Sequence, residues 1–486
     1  MGKYDIIIIG AGIAGASVAR FLSRYDLKIL WLDKESDVCM GASCANSAII
    51  HAGYDAKVGT LKASMNVAGN KMWPTLAEQL DIPFVKTGSY VIAQNQTEFK
   101  NLDALYKNGL QNGVEGMKIM SRDEICRIEP LLNKDICGAL WASTAGVIDP
   151  FGAVLGLAEN AVANGVELKL DTAFEDFIIE SGKITGVKTN NGIYNCEWAI
   201  NCAGLYSDEV MHKAGSHLDF EITPRRGEYV VFDTAAIKLN TVFFPAPSEK
   251  GKGILVSTTA HGNVLAGPNS WFVNSKDNSD ITTEGLQEIF ENAKHIIPSL
   301  SYSSVIAEYS GLRATGNFGP NKDFIIEIAS EVDGLINLAG IESPGFASSP
   351  AIAARVVELL GSRQKLHEKK NFNPLRKRRP AFKHLSHSER AELVGRKPAY
   401  GRIVCRCENV TEGEIVDAIH SNVPARTYDA IKRRTWLGTG RCQGGFDYSR
   451  TIEILSRELN VPVETITKKG KGSEFVYHKT KDAVKI

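Results

Sequence analysis

The segment Tyr4-Asp5-Ile6-Ile7-Ile8-Ile9-Gly10-Ala11-Gly12-Ile13-Ala14-Gly15 decides the reading of this chain. Four consecutive isoleucines predict a buried parallel strand, the glycines a tight turn, and Gly15 to Ser23 a helix. The apolar run Leu27 to Leu32 then returns to strand and ends at Asp33. Each glycine of such a βαβ unit has its own task. Gly10 permits the turn, Gly12 lets a pyrophosphate approach the backbone, and Gly15 lets the helix pack on the strand, so that phosphates meet the positive end of the helix. Asp33, 18 residues after Gly15, is placed to accept hydrogen bonds from a ribose hydroxyl. The segment therefore predicts a dinucleotide site.

At 486 residues the chain is too long for one ordinary core, so two or three domains are expected. With 43% hydrophobic and 23% charged residues the composition is that of a globular protein. Lys+Arg and Asp+Glu both number 56, and the first 360 residues show no basic face interleaved with aromatics, so nucleic acid is not an expected partner. Ile6 to Ile9 is too short to span a bilayer, and its flanks Asp5 and Gly10 fit neither a signal peptide nor an anchor; no transmembrane segment is expected. Nine scattered cysteines, an odd count, argue for reduced thiols in a cytoplasm. Six of them, Cys39, Cys44, Cys126, Cys137, Cys196 and Cys202, read as small buried hydrophobes.

Beyond the first unit the chain returns to α/β character near 155–204 and again at Gly334 to Leu360, with a strand-rich stretch at 216–305 between. The expected fold class is α/β and α+β: a Rossmann-type cofactor-binding domain (about 1–84, 141–215 and 306–360) with an inserted β-rich substrate domain (about 85–140 and 216–305). Lys369-Lys370, Arg376-Lys377-Arg378-Arg379 and the nearby Pro374 and Pro380 mark 361–400 as a basic linker, read as a solvated tether, with docking to an acidic partner as the alternative. A small helical domain is expected at about 401–460, and a tail at 461–486.

The sequel to the fingerprint, Gly41-Ala42-Ser43-Cys44-Ala45-Asn46-Ser47-Ala48-Ile49-Ile50-His51-Ala52-Gly53, resembles the segment under the isoalloxazine of the D-amino-acid-oxidase-like flavoproteins, particularly the L-2-hydroxyglutarate and FAD-linked glycerol-3-phosphate dehydrogenases. Matches of the same kind follow, in order, at Asn201 to Asp208, Arg225 to Tyr229, Ser310 to Arg313 and Gly340 to Gly345, so the resemblance covers residues 4 to about 360. It implies FAD as cofactor, held by Gly10, Gly12, Gly15, Asp33, Ala42, Ser43, Asn46, Ser47, Ala203, Gly204, Gly311, Gly340, Ser343, Pro344 and Gly345.

Near the C-terminus, Cys405-x-Cys407, a gap of 34 residues and Cys442-Gln443-Gly444-Gly445-Phe446-Asp447 resemble the bacterioferritin-associated-ferredoxin type of 2Fe-2S domain, which in the anaerobic glycerol-3-phosphate dehydrogenases is fused behind the FAD module. The implied ligands are Cys405, Cys407 and Cys442; Asp447 stands where the family has its fourth cysteine. A cluster held by three thiolates and Asp447 is the preferred reading. A cluster-free domain retained for packing, or a Cys3Asp zinc site, are the alternatives.

The resembled enzymes move a hydride from the carbinol carbon of an anionic secondary alcohol to flavin N5 while a base takes the hydroxyl proton. His51 is the candidate base, Arg313 the candidate anion-binding fork, and Arg226, Glu228 and Tyr229 are expected to roof the substrate. Glycerol 3-phosphate is the first-choice substrate and L-2-hydroxyglutarate the alternative. An amine or amino-acid dehydrogenase, or a docking subunit of a multi-flavoprotein complex, are further readings. Electrons are expected to leave for a second flavoprotein or other acceptor subunit, making the protein a dehydrogenase rather than an oxidase. Its expected location is the cytoplasm, with any membrane contact made through the partner.

Overall fold

The computed structural model describes residues 3–216, 219–247 and 253–478. β1 (Tyr4–Ile9) carries the isoleucine run, and Ile6, Ile7 and Ile8 are wholly buried, as a strand covered on both faces requires. It lies between β2 (Ile29–Leu32) and the strand Gly192–Asn201, parallel to both; Glu167–Lys169 continues the parallel order beyond β2, and Leu335–Ala339 beyond Asn201. The first half of Gly192–Asn201 turns instead into an antiparallel meander with Lys183–Thr189 and Phe174–Glu180. Helix α1 (Ile13–Leu22) packs between this sheet and the helices Pro150–Ala163 and Gly345–Gly361. The expected Rossmann-type sheet is thus present, built from segments far apart in the chain.

A second sheet, nine-stranded among the described residues, forms the inserted domain. Its spine is the long antiparallel pair Ile222–Phe232 and Val305–Gly316. Residues 306–316 had been expected in the cofactor domain; they run instead as this strand, because their partner across the ladder is the substrate-domain strand and no strand of the first sheet. Helix α2 (Leu61–Gln79) packs on the helix Gly345–Gly361, and the Asp323 carboxylate accepts from the Leu61 and Lys62 N–H groups at 2.8 and 2.9 Å, capping donors that a helix start leaves open.

The basic segment after Gly361 is not a solvated tether. Arg376 and Arg379 bond opposite oxygens of the buried Glu159 at 2.7 and 2.8 Å, and Arg376 also donates to Leu80 O at 3.0 Å. Residues 387–396 form a helix with a Ser386–Glu389 capping box. The segment is a strap, two of its arginines paired with Glu159 of the cofactor domain.

The C-terminal domain holds a short hairpin (Ile403–Cys405 with Val410–Thr411) and helices Glu412–Ile419, Tyr428–Thr435 and Tyr448–Leu459 around Ile415, Ile431, Leu437 and Leu455. Its core extends past the expected boundary at 460, since Ile466 and Phe475 pack into it; residues 479–486 of the expected tail lie outside the described residues. The domain docks through Asp37, whose buried carboxylate receives Arg433 and Arg434 at 2.6 to 3.0 Å. Trp436 wedges beside it, 5.2 Å from the Phe151 ring and 4.2 Å from the His261 ring. All nine cysteines are free, and of the six read as buried hydrophobes Cys39, Cys196 and Cys202 are buried, while Cys44, Cys126 and Cys137 are partly buried, the first two packed against a hydrophobic core.

Candidate active site

One cavity of about 1740 Å³ runs from the glycine turn to the inserted sheet. That exceeds the roughly 300–1,000 Å³ of an ordinary small-molecule site and leaves room for a dinucleotide and a substrate end to end. At its nucleotide end, Gly10 has φ +107°, and a Cβ there would stand 2.4 Å from Cys202 O, so only glycine makes this turn. Gly12 opens on the cavity, whereas Gly15 does not line it and serves the helix–turn contact. Ser43 Oγ accepts from Ile13 N–H at 2.9 Å, tying the Ala42–Cys44 turn to the start of α1. Asp33 accepts from Glu35 N–H at 2.8 Å and from Ala11 N–H; burial pushes its carboxyl up to about 6 against the lowering effect of those donors. Trp31, not singled out from sequence, donates to Gly10 O at 2.9 Å and buttresses the turn.

The loop from 41 to 51 forms the middle of the cavity wall. Asn46 shapes it, donating to Ser43 O at 2.8 Å and accepting from Ala48 N–H at 2.7 Å. Ala42, Ser43, Asn46 and Ser47 line the cavity, as do Ala203 and Gly204 opposite, and Ser343, Pro344 and Gly345 beyond; Gly340 does not. Gly311 lines it too and explains how the two domains meet: a Cβ at 311 would come 2.0 Å from Ala45 O. Tyr309 OH, two residues earlier, donates to Asn46 O at 2.9 Å and stacks on Tyr229, 4.7 Å between centroids.

His51 faces the same cavity, its ring 5.6 Å from that of Phe244. Asn70 of α2 holds the backbone there, donating to the His51 and Thr144 carbonyls at 3.1 and 2.9 Å. Sequence reasoning missed Asn70 and Phe244, which only the folded neighbourhood brings to His51.

Arg313 reaches the cavity from its strand, not from a loop of the cofactor domain. Its Nη2 donates to Asn269 O at 2.7 Å and lies over Gly227, where a Cβ would approach to 2.3 Å. Burial lowers its pKa, the nearby Tyr229 and Glu342 opposing and Arg225 assisting. Of the three residues expected to roof the substrate only Tyr229 lines the cavity. Strand residues alternate between faces, so Arg225, Gly227 and Tyr229 share one face while Arg226 and Glu228 take the other. Arg226 bonds Asn278 at 3.0 Å, and the fully buried Glu228 accepts from the Thr282 N–H and hydroxyl at 2.9 Å, a structural cap on the helix Thr283–Ile296. Arg225 takes the position assigned to Arg226. Its Nη2 bonds Glu342 Oε2 at 2.8 Å, and Lys62 holds the other oxygen at 2.9 Å. Burial alone would raise Glu342, but Lys62 and Arg225 outweigh it and hold the carboxyl below its ordinary range. This wall thus sets Lys62, Arg225 and Arg313 against Glu342, an excess of positive charge.

In the C-terminal domain Cys405 lies beside the Asp447 carboxyl, and Cys407 beside Cys442, so the four expected ligands meet crosswise in two pairs. Burial is the largest influence on the Cys405 thiol, which stands at about 11 despite the Gly438 and Glu408 N–H groups. Tyr428 OH donates to Asp447 Oδ1 at 2.6 Å, while Asp447 Oδ2 is buried without a hydrogen-bond partner among the described residues. Also among the described residues, no three His, Cys, Asp or Glu side chains are grouped to hold a single metal ion.

Residues 5–359 match the model of the FAD-dependent oxidoreductase family. The chain belongs to that family. A BFD-like [2Fe-2S] binding domain matches residues 403–444 of this oxidoreductase, ending before Asp447. The oxidoreductase is 45% identical to a glycerol 3-phosphate dehydrogenase of Caloramator mitchellensis over 99% of this chain and 100% of that one. It is 32% identical to a glycerol 3-phosphate oxidase of Mycoplasma pneumoniae over 77% of this chain and 98% of that one. The solved, dithionite-reduced L-alpha-glycerophosphate oxidase of that organism, with FAD bound, superposes with a TM-score of 0.74, covering 78% of this chain and all of that one. An L-2-hydroxyglutarate dehydrogenase of Arabidopsis thaliana is 29% identical over 73% of this chain and 83% of that one.

FAD is the cofactor of this oxidoreductase, and the residues fit it: the Gly10 turn that a Cβ would fill, the open Gly12 backbone and Asp33 stand along one continuous cavity. The C-terminal domain is of the 2Fe-2S-binding kind, and its donor set fits two irons better than one ion, with thiols in two places and an orphaned buried oxygen at Asp447. Among the described residues no helix is long and apolar enough to cross a membrane.

Proposed function

We propose that the protein oxidises glycerol 3-phosphate to dihydroxyacetone phosphate. The observation that carries this reading is the pair Arg225 and Arg313, directly opposite on adjacent strands and both lining the cavity that His51 faces. Because Glu342 is shared between Arg225 and Lys62, the wall keeps a net positive charge that suits an anion. A phosphomonoester between them would bring its carbinol toward His51, whose imidazole takes the hydroxyl proton as the C–H bond gives up a hydride. FAD, when bound, supplies the two-electron acceptor for that hydride. Tyr229, Phe244 and Ser47 line the same cavity and would flank the reacting carbon.

Oxidation without oxygen as acceptor is supported by the fused domain. The Mycoplasma pneumoniae glycerol 3-phosphate oxidase covers 77% of this chain, whereas a relative that covers 99% of it is named a dehydrogenase. The proposal assigns electron exit to the C-terminal domain, with Cys405, Cys407, Cys442 and Asp447 as cluster ligands and a second flavoprotein or other acceptor subunit as recipient. A 2-hydroxy acid is the second reading, favoured by the Arg313 fork, which suits a carboxylate equally. Anaerobic titration with glycerol 3-phosphate, then with L-2-hydroxyglutarate, tests it: flavin bleaching by the first at stoichiometric amounts is expected, and bleaching by the second alone would transfer the assignment to the hydroxy acid.

A further inference from the structure

We propose that the C-terminal module is also a clasp on FAD, closing the nucleotide end of the cavity with the hairpin turn Lys469-Gly470-Lys471. All three residues line the cofactor cavity although they belong to the C-terminal domain and lie beyond the matched 2Fe-2S segment. The turn is well built: Thr467 bridges Glu474, Lys468 N–H donates to Ser473 O at 2.7 Å, and Ser473 N–H to Gly470 O at 3.2 Å. It is anchored to its own domain by the Lys468–Asp429 ion pair at 2.8 Å and by Tyr428 N–H on Thr467 O at 3.1 Å.

From that anchor it reaches the cofactor domain, where Ser36 Oγ donates to Lys469 O at 2.8 Å. Ser36 follows Asp33, the ribose-binding acid, by three residues, and Asp37 next to it is the residue gripped by Arg433 and Arg434. The loop that leads from Asp33 to the Ser43 turn is therefore held at adjacent positions by two elements of the C-terminal module. Both the loop and the turn line the cavity beside Asp33, and the two exposed ammonium groups at that edge add positive charge where the anionic dinucleotide would lie.

The test is the affinity of FAD for the full-length apoprotein, read by quenching of FAD fluorescence, in wild type and in the double variant Lys469→Ala/Lys471→Ala. Both side chains are exposed, so the fold, checked by circular dichroism, is expected to be kept. The clasp predicts a dissociation constant raised about tenfold, equivalent to about 1.4 kcal/mol, with a weaker dependence on salt than in wild type. An increase of roughly threefold or more supports the proposal, and a smaller one overturns it.

Discussion

Arg225 and Arg313 are directly paired across an antiparallel ladder, and Gly227, two residues further along the first strand, leaves the space that the Arg313 guanidinium occupies. If Arg313 binds the substrate anion as proposed, Arg313→Ala should lower kcat/KM for glycerol 3-phosphate on the order of 10²–10³. Arg225→Ala should cost less, because its Glu342 contact is shared with Lys62. Gly227→Ala should raise KM more than it lowers kcat, since the added methyl displaces the guanidinium without touching His51. Steady-state kinetics with an artificial acceptor reads all three.

His51→Ala should lower kcat by about 10²–10⁴ while FAD stays bound, as loss of a positioned base does. The flavin absorbance of the purified variant and its rate of anaerobic reduction separate the two; full-rate reduction would remove His51 from the base role.

FAD affinity should depend on pH through Asp33. The ionised carboxylate is the form that accepts from a ribose hydroxyl, and in the cofactor-free cavity the group takes up a proton near pH 6. Binding should therefore be constant above that pH and weaken below it, by at most about tenfold per unit. Asp33→Asn should bind more weakly at pH 8 and show no such slope, measured by fluorescence titration.

Asp37 holds the C-terminal domain. Burial alone would raise its carboxyl, but Arg434 and Arg433 outweigh it and keep it below its ordinary range. The docking contribution is thus fully present above the usual carboxylate pKa of about 3.9 and lost only as pH falls through the depressed value. Asp37→Ala leaves both guanidinium groups without their anion and should destabilise the docked state by about 3–5 kcal/mol, seen in denaturant unfolding.

Asp447 should matter to iron more than to folding. Protein purified without oxygen is expected to hold about two irons per chain with a 2Fe-2S absorption spectrum, Asp447→Cys to keep the iron with an altered spectrum, and Asp447→Ala to lose most of it. Equal iron in wild type and Asp447→Ala would exclude the carboxylate as a ligand.

The nucleotide site was legible because its determinants are local. Gly10, Gly12, Gly15 and Asp33 act within one βαβ unit, and the strand and helix periods around them are written in adjacent residues. The C-terminal cysteines were legible from the close spacing of Cys405 and Cys407, whereas their crosswise meeting with Asp447 and Cys442 comes from the fold. The substrate wall was not: Arg225, Arg226, Glu228 and Tyr229 are consecutive or nearly so, and alternation divides them into two faces without saying which face meets the cavity.

By itself the sequence determined the dinucleotide unit, the two-part architecture and the presence of a thiol-rich terminal domain, since each rests on backbone chemistry and spacing over a few tens of residues. Only the tertiary structure decided that Arg225 and not Arg226 stands beside Arg313, that the basic strap anchors Arg376 on Glu159, and that Lys469 reaches Ser36. Those choices join residues 88, 217 and 433 positions apart, and they are made by which surfaces must be buried together, a property of the packed core that no local stretch of chain contains.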